Sequence, residues 1–299
     1  MRTPRISVVV ANHDYGRFLD RFFGALAAQT FPPDAVEVVF VDDASSDDSR
    51  ERALRWQTDG PWAAFRVLAL PRVGRPGPVR NAGAEAARGP FLLFCDPDDY
   101  LAPDFLRRTH AALLAAGAGD GLPTDIPSPH IACTDYIEES PTGSRVVRVP
   151  DFHPDLLRTQ NLFHTTSLMR REVWLASRGF RAATAYEDWD FWVQAAMAGF
   201  GVARVAEPLL HYVFHDANYS LAARADDGRA KARIVRDNPG FFESEVRAWA
   251  RALLRGEPWA APFGRGIIPR AADIRALREL FVARMGAARA GEVFSRAGL

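Results

Sequence analysis

At 299 residues with 48% hydrophobic side chains, the chain has room for one large domain or two small ones and the composition of a packed globular protein. Lysine plus arginine and aspartate plus glutamate balance at 37 each, so no global field favours nucleic acid or a basic partner, and any charge-driven function must be local. Cys95 and Cys133 each sit in an apolar run, which predicts reduced core thiols rather than a disulfide framework. No apolar stretch approaches the roughly 20 residues of a membrane span. The first residues also lack a signal peptide's apolar region, so the expectation is a soluble cytoplasmic protein.

Residues 6–10 form a continuous β-branched run of the kind buried on both faces of a parallel sheet. Phe18, Leu19, Phe22, Phe23 and Leu26 then recur at helical spacing as far as Ala28, and Thr30-Phe31-Pro32-Pro33 stops the pattern. A second buried strand is predicted over 36–41, followed by a Ser/Asp-rich loop over 42–49 that caps a helix running to Trp56. Strand 65–70, helix 78–87 and strand 91–95 continue the alternation. That pattern predicts a doubly wound sheet whose ligands sit at the carboxyl ends of the strands.

A helix over 103–116 leads into a Gly/Pro/Asp-rich loop over 117–129 that is expected to border the acceptor. Strands over 130–137, 145–149 and 164–170 suggest a more mixed second half. A helix over 187–200 follows, with Trp189, Trp192, Val193, Ala196, Met197 and Phe200 on one stripe, and then a strand over 209–214. The chain reads as wholly helical from about Leu221, with the clearest boundary over 218–228.

The strongest chemical signal is Cys95-Asp96-Pro97-Asp98-Asp99, where carboxylates leave the end of a buried strand. Hard oxygen ligands in this position suit Mg²⁺ or Mn²⁺, which keep open positions for the oxygens of a diphosphate. A nucleotide sugar would supply that diphosphate. Two neighbouring strand ends carry Ala11-Asn12-His13-Asp14 and Asp42-Asp43-Ala44-Ser45-Ser46-Asp47, a flat imidazole and acceptor carboxylates suited to a base. Their plainer role is to cap the following helices.

Arg80, at the start of a helix after a Gly/Pro-rich loop, is placed to favour a phosphate. Neither a dinucleotide fingerprint nor a P-loop is present. Transfer to a hydroxyl needs a base, and Glu187-Asp188-Trp189-Asp190 offers three carboxylates. On a helical wheel Asp188 and Asp190 flank the apolar stripe and remain tied, whereas Glu187 points further out. His211 and His215 close the last core strand, and either fits a metal or phosphate site.

The order and spacing of these segments, together with Val79-Arg80-Asn81-Ala82-Gly83 and His211-Tyr212-Val213-Phe214-His215, resemble the inverting family 2 glycosyltransferases of the GT-A fold. The similarity runs from about residue 6 to 220. It implies an α/β doubly wound mixed sheet with a C-terminal helical extension: a donor-binding half over 1–110, an acceptor and catalytic-base half over 111–220, and helices over 221–299. By the resemblance, Ala11 and His13 hold the base, Asp43 accepts its N–H, Arg80 steadies the donor and Asp96 approaches the ribose. Asp98 ligates the metal, His215 joins the metal or pyrophosphate site, and Asp188 is the general base. Positions 11, 13 and 14 are Ala, His and Asp where the family often has Pro or Thr, Tyr and Asn. Val213 stands where an arginine is common, and Arg178-Gly179-Phe180 replaces Gly-Gly-Phe.

The implied reaction is a metal-assisted single displacement that moves a sugar from a nucleoside-diphosphate sugar, UDP being the family's commonest donor nucleotide, to a glycan, lipid-linked or small-molecule hydroxyl. A sugar-phosphate nucleotidyltransferase and a non-catalytic nucleotide-sugar-binding protein are the alternatives. The helix around Val246, Trp249, Ala250, Leu253 and Leu254, with Arg247, Arg251 and Arg255 opposite, is expected to pack on its own catalytic domain; contact with an anionic membrane or a partner is the alternative.

Overall fold

The computed structural model describes residues 3–116, 129–215 and 226–295. Strand and helix alternate through the first part: β1 (Ile6–Asn12), α1 (Gly16–Ala27), β2 (Val36–Asp43), α2 (Ser49–Asp59), β3 (Ala64–Leu70), α3 (Pro76–Ala86) and β4 (Phe91–Cys95). A two-residue strand β5 (Tyr100–Leu101) and α4 (Phe105–Ala116) follow. Next come the hairpin β6 (Pro129–Ser140) and β7 (Gly143–Val147), the short helix α5 (Pro154–Leu157), β8 (Leu168–Arg170) and α6 (Arg171–Ala176). The core then closes with α7 (Glu187–Met197) and β9 (Gly201–Val213). Four helices end the described chain: α8 (Asp227–Asp237), α9 (Ser244–Arg255), α10 (Ala271–Met285) and α11 (Ala287–Ser295). The expected loop over 117–129 and the boundary over 218–228 fall largely outside the described residues.

The nine strands form one sheet in the order β3-β2-β1-β4-β8-β6-β9-β5, with β7 paired to β6. β1 pairs in parallel with β2 on one side and with β4 on the other. The strand order therefore reverses at β1/β4, the point in an open α/β sheet where the loops diverge and leave a crevice. Beyond β4 the sheet becomes mixed, because β8 runs antiparallel to both β4 and β6 while β6 and β9 are parallel.

Alternate residues of each strand enter two separate cores. Val8, Val10, Val38 and Phe40 pack with α1 residues such as Leu19, Phe22 and Phe23 on one face. Val9, Val39, Val41 and Phe94 pack towards α3, α7 and the C-terminal helices on the other. Burial on both faces explains why these strands read as nearly continuous apolar runs, broken by Ser7 in β1 and Glu37 in β2. Gly83 lets α3 lie close to the sheet, since a Cβ there would stand 2.3 Å from Val9 Cγ1.

The sequence expectations for β8 and β9 need correction. Only Leu168–Arg170 of the expected 164–170 strand pairs, and the preceding residues form a loop. β9 begins at Gly201 rather than near Leu209 and crosses register shifts against β6 at Thr134/Asp135 and Asp135/Tyr136. The single apolar stripe expected on α7 is also wrong. Glu187, Asp190 and Gln194 are buried along with the aromatic residues, whereas Met197 is exposed. The cause is that α7 is covered on two sides, by Arg80 of α3 against Glu187 and by the C-terminal segments against Asp190. Asn238 donates to Asp190 Oδ1 at 2.8 Å, Tyr186 Oη donates to Asp227 at 2.7 Å, and the Ile268 amide donates to the Thr159 carbonyl at 2.9 Å. Val246, Trp249 and Ala250 of α9 are buried in the same core, so the predicted stripe faces the protein itself.

Cys95 and Cys133 are buried free thiols, as expected. Among the described residues, no helix is long and apolar enough to cross a membrane.

Candidate active site

A cleft of about 750 Å³ opens at the β1/β4 switch point. Ala11, His13, Asp43, Arg80, Asp96, Asp98 and Asp188 all line it. His215 joins them through a 3.0 Å hydrogen bond between its Nε2 and Asp98 Oδ2.

The loops after β1 and β2 are locked together before any ligand arrives. Asp14 and Ala44 both adopt positive φ, at 57° and 55°, a conformation most side chains resist. Asp14 accepts the Ser46 amide at 2.6 Å and donates its own amide to Ser45 Oγ at 3.0 Å, so its role is to join the loops. Asp47 caps two helix starts at once, accepting from the Gly16 amide at 2.8 Å and the Ser49 amide at 3.0 Å. That arrangement leaves His13 at the cleft, its Nδ1 2.8 Å from the Asp43 carbonyl oxygen. The Asp43 carboxylate is buried and already accepts from Arg72 and from the amides of Val73 and Gly74. It therefore orders the 72–74 loop beside the cleft as well as lining it.

Arg80 is almost wholly buried and forks between two carboxylates. Nη1 donates to Glu187 Oε1 at 2.8 Å and Nη2 to Asp96 Oδ1 at 2.6 Å. Glu187 thus points inward, against the helical-wheel expectation, because α3 supplies it with a buried cation. Burial pushes the Glu187 carboxyl up to about 7, with Arg80 pulling it down and Asp188 pushing it further up. The loop beneath is held by Asn81, whose amide accepts from the Phe180 N–H and donates to its carbonyl, both at 2.9 Å. Gly179 sits there at φ 67° and leaves no space for a Cβ beside Asn81.

Asp188 and Asp190 have different surroundings. Asp190 is buried away from the cleft on Arg181, Asn238 and Gln194. Asp188 faces the cleft, accepting from its neighbour Trp189 N–H and from Asn161 Nδ2, each at 2.8 Å. Burial raises its proton affinity while these donors hold the charged form. The two histidines are separated as well. His211 stacks on Tyr100 with centroids 4.2 Å apart and contacts Glu139 at 2.9 Å, whereas His215 reaches Asp98.

Burial and the Asp96 charge push Asp98 up to about 6, and burial pushes Asp99 well up. Crowded carboxylates of this kind are short of positive charge, which fits a hard divalent cation. Among the described residues no group of three or more His, Cys, Asp or Glu side chains forms a ready-made cage. Asn161, Tyr136, His164 and Tyr212 are among the cleft-lining residues that sequence reasoning did not mark. Their signal is absent because they come from a loop and two distant strands.

The fold and cleft define a GT-A type protein. Its backbone matches Staphylococcus aureus TarS 1-349 in complex with UDP-GlcNAc with a TM-score of 0.63 and 19% identity, over 83% of this chain and 71% of that one. It also matches the mannosyltransferase PcManGT from Pyrobaculum calidifontis, in complex with GDP-Man and Mn²⁺, with a TM-score of 0.59 and 19% identity, over all of this chain and 80% of that one. Residues 7–173, more than half of the chain, match the glycosyl transferase family 2 model, and the chain belongs to that family. Putative glycosyltransferase EpsH of Bacillus subtilis is 29% identical over 72% of this chain and 62% of its own length. Validoxylamine A glucosyltransferase of Streptomyces hygroscopicus subsp. limoneus is 30% identical over 50% of this chain and 33% of its own. The chain thus spans less than two thirds of these curated relatives.

Proposed function

We propose that the chain is an inverting glycosyltransferase that moves a sugar from a nucleoside-diphosphate sugar to an acceptor hydroxyl. The observation that carries this reading is convergence: side chains from the ends of β1, β2, β4 and β9 and from the starts of α3 and α7 meet in one cleft. The divergent loops after β1 and β2 suit the base, with His13 as a flat face and Asp43 as an acceptor for a base N–H. UDP is the expected nucleotide, and the nucleotide sugars named in the TarS and PcManGT complexes support a donor of this class.

Asp96, held by Arg80, suits the ribose end. Asp98, with His215, would hold a divalent cation, Mn²⁺ or Mg²⁺, and the Mn²⁺ named with PcManGT supports that choice. Such an ion, when bound, stabilises the charge of a leaving nucleoside diphosphate. Asp188 takes the acceptor proton as the acceptor oxygen bonds to the anomeric carbon. The bond from that carbon to the diphosphate oxygen breaks on the opposite side, so the configuration inverts.

The test is a thermal-shift panel of UDP, GDP and dTDP and their sugar conjugates, each with Mn²⁺, Mg²⁺ or EDTA. Selective binding to the folded state raises the transition temperature, by about 2.7 kcal/mol of stabilisation at a hundredfold excess over Kd. A metal-dependent rise with one nucleotide is expected. No rise with any nucleotide would overturn the donor site.

A further inference from the structure

Resting on the reading above, we propose that Tyr136, His164 and Tyr212 form the acceptor subsite and that the acceptor is recognised as a saccharide ring. The three rings line the same cleft as Asp188. Tyr136 lies on β6 and Tyr212 on β9, and the parallel register pairs Tyr212 with Glu138, two residues along from Tyr136. Side chains two residues apart share a face, so the sheet itself places both phenols on one wall. His164 completes that wall, with its ring centroid 4.3 Å from Tyr136 and 4.9 Å from Tyr212.

The chemistry of this wall differs from that of the donor end. Carboxylates and arginines crowd the region around Asp43, Arg80, Asp96 and Asp98, whereas the wall carries rings with polar edges. Burial lowers the His164 pKa to about 4, so the imidazole is neutral at ordinary pH and offers one donor and one acceptor. A saccharide presents a face of C–H groups that suits the negative face of an aromatic ring, with hydroxyls around the rim that can both donate and accept. The wall is also tied to the chemistry. Asn161, three residues before His164 in the same loop, donates to Asp188 Oδ2 at 2.8 Å, so the loop that presents the ring also holds the base.

The test uses p-nitrophenyl glycosides of glucose, galactose, mannose and N-acetylglucosamine and their β-1,4-linked disaccharides, with p-nitrophenol and dodecanol as controls. The readout is nucleoside diphosphate release from the donor that the nucleotide panel selects. At least one glycoside is expected to accelerate release above the rate in water, and neither control should. Tyr136→Leu and Tyr212→Leu keep much of the volume but remove the ring; each should raise the glycoside KM by about tenfold while the donor-induced thermal shift persists. Inert glycosides beside a binding donor, acceptor activity of dodecanol, or an unchanged glycoside KM in both variants would each overturn the proposal. Loss of the donor-induced shift in the variants would place the wall in the donor site and overturn it as well. Absence of that shift in the unmodified protein would instead overturn the donor reading on which the subsite rests.

Discussion

Replacing Arg80 with glutamine removes the buried cation that serves both Glu187 and Asp96. Asp96 is about one third exposed and loses little, but the Glu187 side chain is only 9% exposed and is left without a counter-charge. In the unmodified protein the Glu187 carboxyl titrates near 7, above its ordinary value of 4.5, because burial outweighs the attraction of Arg80. A folded-state pKa raised above the unfolded value gives stability that is complete below the unfolded pKa and is lost as pH rises through the folded one. Without Arg80 the folded pKa climbs further, so the loss continues over a wider range. Between about pH 5.5 and about pH 8.5 the variant should fall behind by a further 2 kcal/mol, roughly, the product of about 1.5 pH units and about 1.4 kcal/mol per unit. In thermal unfolding this difference corresponds to about 4–8 °C of additional Tm loss at the higher pH. An equal deficit at both pH values would refute the buried pairing of Arg80 with Glu187.

Asp188→Asn should retain the nucleotide-induced thermal shift while turnover falls by about 10²–10⁴-fold, the usual worth of a positioned general base; unchanged turnover would remove Asp188 from the chemistry. Gly83→Ala should cost about 1–3 kcal/mol in denaturant unfolding, because the new methyl meets Val9 and Val41 at the tightest approach of α3 to the sheet. A neutral substitution there would mean that α3 can shift outward without cost.

How far the sequence carried this picture depended on how local each signal was. β4 reads as Phe91–Cys95 from five consecutive apolar residues because both of its faces are covered. β5 is only Tyr100–Leu101 and exists through pairing with β9, so no local pattern could mark it. The start of β9 is hidden in the sequence because Arg204 interrupts its apolar run, and that arginine is explained by its paired contacts with Asp135 across the sheet.

The same distinction holds at the site. Asp96 and Asp98 follow from their place at a buried strand end. The inward turn of Glu187 depends on Arg80, 107 residues away, and that Asp188 lines the cleft while Asp190 is engaged by Arg181 and Asn238 depends on contacts equally remote in sequence. Asp43 was legible as a strand-end carboxylate, but its hold on the 72–74 loop was not, since nothing in a Gly/Pro-rich loop announces the residue it will fold onto.

The most direct measurement is calorimetric titration of the nucleoside diphosphate selected by the thermal-shift panel, with Mn²⁺ or with EDTA, into the unmodified protein and into Asp98→Ala. Binding that requires Mn²⁺ and is lost in Asp98→Ala is expected. Equal affinity in EDTA, or intact Mn²⁺-dependent binding by Asp98→Ala, would contradict a cation held by Asp98 at the donor diphosphate.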